Sequence, residues 1–354
     1  MFLSKLSNFY KRFEKYISIV GLIYGFIFTS LTLTRVDTFW ENFWIVLHLI
    51  IATVAIFVLT IYEKKVDLHF YLTLAIQFAF GGLFSTFFVF YMRSSSLVDS
   101  WLFLFFLLVL VIGNELWKKQ YQRLTFQVSI IFISFYLFLI FLLPVLFHRL
   151  GSDLFIASGI LSLIGSAIFL YFLRKIAIEK FSKSHNWIRF SVISIFIIMN
   201  ILYFTNIIPP IPLSIKNSGV YHTITRTADG NYEVKAEKTR WQDYFNFYPV
   251  FHRRAGEPIY AFSAIFSPIN FQTEVIHQWQ YYDKEKKEWI DSNRISLSIV
   301  GGREGGFRTY SVKQAVPPGR WRVRVLAPDG KAIGNINFEV KEISDKVDLW
   351  TNLI

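Results

Sequence analysis

The side chains best suited to chemistry in this 354-residue chain gather in its last third. Gly301-Gly302-Arg303-Glu304-Gly305-Gly306-Phe307-Arg308 sets two arginines among glycines. Glycine permits positive φ and close backbone approach, and paired guanidinium forks hold a carboxylate or phosphate bidentately. Arg303, Glu304, Phe307 and Arg308 are therefore candidate binding residues. The plainer reading is a bulged β connection in which Arg303 and Glu304 pair with neighbours. It is not a nucleotide-binding loop: no strand-to-helix transition follows, and no Lys-Ser/Thr closes it. A second group, Trp241, Tyr244, Phe245, Phe247, Tyr248 and Phe251, runs into His252, Arg253 and Arg254. Aromatics beside cations suit a membrane interface or a sugar- or lipid-binding platform, which makes Trp241, Tyr244, Tyr248, Arg253 and Arg254 candidates. The alternative is a loop capping the β domain or docking it on the helices.

His277 lies two residues before Trp279 on the core-side face of one strand pattern. With no second histidine or carboxylate at ligand spacing, a buried hydrogen-bonded imidazole is favoured over a catalytic or metal role. An enzyme reading would need His222, His252 or His277 beside a carboxylate such as Glu257 or Asp291 in an open cleft. The alternate positions Arg320, Arg322 and Arg324 read most simply as a solvated strand face. The chain has no cysteine, which removes disulfides, thiolate metal sites and a cysteine nucleophile. Nothing calls for a cofactor or a metal.

These residues must be held by two kinds of structure. Seven long apolar runs, 17–36, 43–62, 70–92, 101–117, 125–147, 154–173 and 188–207, precede Pro209. Lipid forces backbone groups to pair within the segment, so an apolar run of about 20 residues reads as a spanning helix. Polar groups inside such runs are functional candidates because burying them is costly. They are few: His48, Gln77, Asn114, Glu115 and Asn200. His48 reads as a neutral imidazole hydrogen-bonded to a neighbouring helix, with proton relay or ligand binding as the alternative. Gln77 and Asn200 read as interhelical hydrogen bonds, Glu115 as reaching the interface to meet a lysine, and Gly81 and Gly82 as close helix packing. No paired intramembrane charges and no pair of Gly/Pro-broken helices mark a coupled transporter.

Charge gives the orientation. The tail and even-numbered linkers carry Lys5, Lys11, Arg12, Lys15, Lys64, Lys65, Lys118, Lys119, Arg123, Arg174, Lys175, Lys180, Lys183 and Arg189. The other side offers only Arg35, Arg93 and Arg149. Short-loop Lys and Arg counts decide topology, so the N-terminus is expected in the cytoplasm and everything after Pro209 outside. The first run is span-length and lacks a small-residue cleavage site, so it is not a cleavable signal peptide. Residues 1–16 place Leu3, Leu6, Phe9 and Phe13 at helical spacing among the basic residues, as in an interfacial amphipathic helix on the inner leaflet. The net charge of +12 does not indicate nucleic acid. Through Ser214 there are 17 Lys and Arg against 9 Asp and Glu, and the remainder holds 20 against 16, too few and too scattered for that footprint.

After the 17–208 bundle and a proline-rich exit at 209–217, residues 218–342 read as all β, with a tail at 343–354. Paired strands are expected at 220–225 and 232–237 around a turn at Ala228-Asp229-Gly230-Asn231, and a central strand at 259–266, apolar on both faces. Alternation continues at 274–282, 295–299, 307–312, 321–325 and 336–340. The expected architecture is a seven-helix membrane bundle followed by an immunoglobulin-like β-sandwich.

Asn200-Ile-Leu-Tyr-Phe-Thr-Asn-Ile-Ile-Pro-Pro-Ile-Pro-Leu-Ser214 resembles the last span and exit of certain bacterial multi-pass membrane proteins. Gly301-Gly-Arg303, Gly306-Phe-Arg-Thr-Tyr-Ser311 and Pro318-Gly-Arg-Trp-Arg-Val-Arg-Val325 resemble the C-terminal β-domain of unknown function that closes them, as do Ile333-Gly334 and Phe338-Glu-Val340. The resemblance implies this architecture and a bacterial origin, and no catalytic residues. The expected function is non-enzymatic. A bundle in the bacterial cytoplasmic membrane presents the β domain to the periplasm or exterior, where it binds a protein, glycan or lipid partner. A transporter or lipid-handling protein with the β domain as accessory is the alternative, and an envelope enzyme the second.

Overall fold

The computed structural model describes residues 24, 26–32, 37–62, 66–117, 119–228, 231–238, 246–268, 272–300 and 305–354. The expected interfacial helix, most of the first span, Trp241, Tyr244, Arg303 and Glu304 lie outside them. The chain divides into two compact units, Met1–Arg93 with Ser100–Ile208, and Ser94–Asp99 with Pro209–Ile354.

The first unit is helical. Beyond a helical stretch at 26–32, it contains α1 (Phe39–Ile61), α2 (Val66–Arg93), α3 (Leu97–Leu116), α4 (Leu124–Phe147), α5 (Ser152–Ile176) and α6 (Ile178–Phe204). All six are long and apolar enough to cross a bilayer. They coincide with the second to seventh apolar runs, and the shortest, α3, falls on the shortest run. α4 is the most enclosed, with 72% of its apolar window buried against 22% for α6, so α4 forms the centre of the bundle. Pro144 stays inside α4, near its end. α6 begins at Ile178, well before the expected span, because Glu179, Lys180 and Lys183 favour helix as readily as the apolar stretch they precede.

The second unit is β. Its strands are β1 (Ser214–Tyr221), β2 (Thr223–Arg226), β3 (Tyr232–Glu237), β4 (Val250–Arg253), β5 (Ile259–Phe266), β6 (Gln272–Asp283), β7 (Glu288–Val300), β8 (Phe307–Lys313), β9 (Gly319–Leu326), β10 (Ala332–Glu342) and β11 (Leu349–Leu353). They form three sheets ordered β1-β5-β8, β4-β10-β9-β6-β7 and β11-β3-β2. All pairs are antiparallel except β4 with β10. The expected strand at 220–225 is divided at His222: β1 pairs with β5, while β2 pairs with β3. The tail at 343–354 supplies β11 on the free edge of β3.

β5 reads as apolar on both faces because it has a layer on each. Phe262 and Ala264 pack with Ile224 and Val234 of the β2–β3 sheet, under Tyr232 and Tyr310. The alternate residue Ser263 points at His277 of the five-stranded sheet. On that sheet's inner face, Val275, Trp279, Trp321, Val323, Val325 and Phe338 are buried at alternate positions of β6, β9 and β10. The period-2 pattern thus marks one buried and one polar face, as pleating requires.

Candidate binding face of the β unit

The inward face of β6 carries a polar knot. His277 and Trp279 are both 0% exposed. His277 Nε2 lies 2.8 Å from Ser263 Oγ on β5, and Nδ1 lies 2.9 Å from Ser311 Oγ on β8. The Trp279 indole N–H donates to the same Ser311 Oγ at 3.0 Å. Burial pushes the imidazole pKa down to about 4, so the ring is neutral at ordinary pH. The sequence expectation of a satisfied core histidine holds. With every ring nitrogen engaged and no solvent access, the group ties sheets together and is not available for catalysis.

The outward face is different: Arg320 is exposed, as a solvated row would have it, while Arg322 and Arg324 are half-buried. The Arg322 guanidinium lies 4.3 Å from the Trp289 ring centroid, and Arg320 lies 5.1 Å from that of Tyr248. The two rings are themselves nearly parallel, at 16° and 6.3 Å. Arg322 Nε donates to Gln280 Oε1 at 2.6 Å, and burial lowers its pKa. Gln280 and Gln278 reach one carboxylate, Asp291, which Arg294 also meets at 3.1 Å. These hydrogen bonds, first that from Gln280, outweigh burial and hold Asp291 below the usual carboxylate range. At the end of the row Arg324 pairs with Asp99 at 3.0 Å, and Asn335 donates to Ser96 Oγ at 2.9 Å. Guanidinium groups prefer aromatic faces and planar amides to bulk water when the sheet fixes them at that distance. Gln278, 3% exposed, keeps its Oε1 without a hydrogen-bond partner among the described residues.

The predicted binding residues divide. Tyr248 belongs to this face. Arg308 donates to Asn231 Oδ1 at 2.8 Å, which ties β8 to the end of the β2–β3 turn, and Phe307 is half-buried at the start of β8. Gly306 has φ +83°, and a Cβ there would meet the Ile265 backbone at 2.9 Å, so glycine is required by the approach of β8 to β5. Arg253 is buried, with Nη1 donating to the Glu257 carbonyl; Arg254 pairs with the Glu257 carboxylate at 2.7 Å. Both make their bonds within the β unit.

The chain does bring histidines to a carboxylate, but a different one from those anticipated. Glu237 Oε2 is 2.8 Å from His252 Nδ1, and its Oε1 accepts from the His252 N–H at 2.6 Å and lies 3.4 Å from His222 Nε2. Burial raises the Glu237 pKa, yet the hydrogen bonds from His222 and His252 outweigh it and leave the carboxyl below its usual range. The His222 ring stacks on Phe251 at 4.3 Å. Among the described residues no three His, Asp or Glu side chains are grouped to hold a metal.

In the helical unit, Gln77 Nε2 donates to the Asn114 carbonyl and Asn114 Nδ2 to the Gln77 carbonyl at 3.0 Å, tying α2 to α3. Tyr121 donates to Asn114 Oδ1, and Gln127 to the Tyr121 carbonyl, extending the network into α4. Asn200 donates to Phe196 O at 2.8 Å and to Tyr136 of α4 at 3.4 Å. These are the expected interhelical bonds. His48 differs: Nδ1 bonds Trp44 O of its own helix at 2.7 Å, while its ring stacks on Phe78 and covers Gly82 of α2. The preceding turn offers a carbonyl at no entropic cost, so the ring meets its neighbour by packing instead. Glu115 is half-buried at the end of α3.

Residues 272–340 match the family described as Protein of unknown function (DUF2914), which places such a domain over β6 to β10 and so over the Arg–aromatic face. No curated protein matches the chain. Among solved structures, Pseudomonas fluorescens alkylpurine DNA glycosylase AlkC bound to DNA containing an abasic site analog is similar at 14% identity and a TM-score of 0.22. That alignment covers 79% of this chain and 82% of the other, and a likeness this slight carries no inference.

Proposed function

We propose that this is a multi-pass protein of a bacterial cytoplasmic membrane whose helices anchor a β unit on the outer side, where it binds an envelope partner without catalysis. The observation that carries the reading is the outward face of β6, β7 and β9. There Arg320 and Arg322 are stacked on Tyr248 and Trp289 above a buried row of amides. Aromatic residues and arginine dominate the binding energy of recognition surfaces, and side chains already held by stacking lose little freedom when a partner arrives. Sidedness rests on the fourteen basic residues of the inner linkers against three on the other side. The immunoglobulin-like description is supported by two facing sheets, antiparallel apart from the β4–β10 edge pair, closed over a buried tryptophan on an inner strand, here Trp279. A transport role has less support, since Gln77, Asn114 and Asn200 are engaged in bonds between helices.

Two measurements test this. A reporter fused behind Ile354 should be active only outside the cytoplasm; activity in the cytosol overturns the reading. A photo-crosslinking amino acid at position 289, in native membranes, should capture a defined partner, and capture should fall when Arg322 is replaced by alanine.

A further inference from the structure

Arg320 and Arg322 occupy alternate positions of β9 and so leave the same face of the sheet, about 6.7 Å apart along the strand. Among the described residues no ion pair joins either of them to a carboxylate, whereas the flanking Arg294 and Arg324 are matched by Asp291 and Asp99. Glu339 is the cross-strand neighbour of Arg320 on β10, and the arginine nonetheless lies over Tyr248. Arg322 spends its Nε on Gln280, which leaves its outer nitrogens for a ligand. Two oriented guanidinium groups that no carboxylate among the described residues ion-pairs, at a fixed repeat, call for a ligand carrying anions at a similar repeat.

The surroundings say what else that ligand carries. Tyr248 and Trp289 supply half-buried ring plates on which the apolar face of a sugar ring can rest, beside the exposed Arg320. β9 is paired on both sides, by β10 and β6, so an added peptide strand would find no backbone edge here. We infer that the Arg320–Arg322 face binds an anionic glycan, a hydroxyl-rich chain bearing carboxylate or phosphate groups. The inference rests on the outward-facing β unit proposed above and narrows its partner.

The test uses the full chain in detergent, with binding to polygalacturonate, poly(glycerol phosphate), neutral dextran and polyglutamate measured at two salt concentrations. Binding of either of the first two, weakening with salt and absent for dextran, supports the site and tells carboxylate from phosphate. The pair Arg320→Gln and Arg322→Gln should lower affinity roughly tenfold or more. The pair Lys284→Gln and Lys286→Gln, which removes equal charge from the exposed β6–β7 turn, should leave it unchanged. If the double arginine variant melts early, Arg320→Gln alone carries the test, because that side chain is exposed. Unchanged binding after loss of the arginines, equal binding of dextran, tighter binding of polyglutamate, or no binding at all overturns the inference. A reporter active outside the cytoplasm together with a protein captured at position 289 would leave the broader reading standing while this one falls.

Discussion

His277 Nε2 and Ser263 Oγ meet at 2.8 Å between two β-sheets, with the other imidazole nitrogen 2.9 Å from Ser311 Oγ. A fully buried ring with both nitrogens satisfied is a cross-brace that works only while neutral. Its folded pKa of about 4 lies below the unfolded 6.5, so the unfolded chain takes up the proton first. The stabilisation is complete above pH 6.5 and is lost as pH falls toward 4, at up to about 1.4 kcal/mol per pH unit. Melting of the β unit followed by tryptophan fluorescence in the full chain should show this slope. His277→Gln should flatten it and cost about 1–3 kcal/mol at pH 7, because Ser263 and Ser311 lose fixed partners.

Glu237 titrates in the same direction. Its carboxyl is held below the usual range, so the bonds to His222 and His252 stabilise the fold above the unfolded value of 4.5 and weaken as pH falls below it. Glu237→Gln should lower the melting temperature near neutral pH and leave a smaller difference from the parent at pH 4.

Gly306→Ala combines a left-handed backbone with a Cβ placed 2.9 Å from the Ile265 main chain. A loss of about 1–3 kcal/mol is expected. The β unit should melt earlier while Gly305→Ala, where no atom lies within 4 Å, changes little.

Asn114→Leu should destabilise the helical unit. Asn114 is 1% exposed; its side chain donates to the Gln77 main-chain carbonyl and accepts from Tyr121, so its removal breaks both bonds and leaves the buried Tyr121 hydroxyl without that acceptor, at a cost of about 1–2 kcal/mol. Thermal melting in detergent measures it.

Arg322→Ala should cost about 0.5–2 kcal/mol, from loss of the stack on half-buried Trp289. A change in Trp289 emission, isolated against Trp289→Phe, reports the loss of the stack. No change in emission would show that the guanidinium does not rest on the ring.

The helices were legible because a bilayer leaves one solution to an apolar run: the backbone must bond to itself, and length then decides the rest. The strands from β5 to β10 were legible for a related reason, since pleating writes burial into alternate residues such as Trp321, Val323 and Val325. β4 and β11 were not. Val250–Arg253 is short and gains its place by parallel pairing with a strand far along the chain, and Leu349–Leu353 exists as a strand because β3 presents a free edge. Neither cause is local.

The same division runs through the candidate site. Residue order alone determined that the chain alternates lipid-soluble runs with basic linkers, that a β unit follows, and that His277 belongs to a core. Tertiary structure decided which cations are spent and which are left. It took Arg253, Arg254 and Arg308 into internal bonds, set Glu237 between two histidines, and laid Arg320 and Arg322 on the rings of Tyr248, just before β4, and Trp289 of β7. Periodicity reports which face a side chain occupies, whereas its partner across the sheet depends on register, and register is a property of the folded whole.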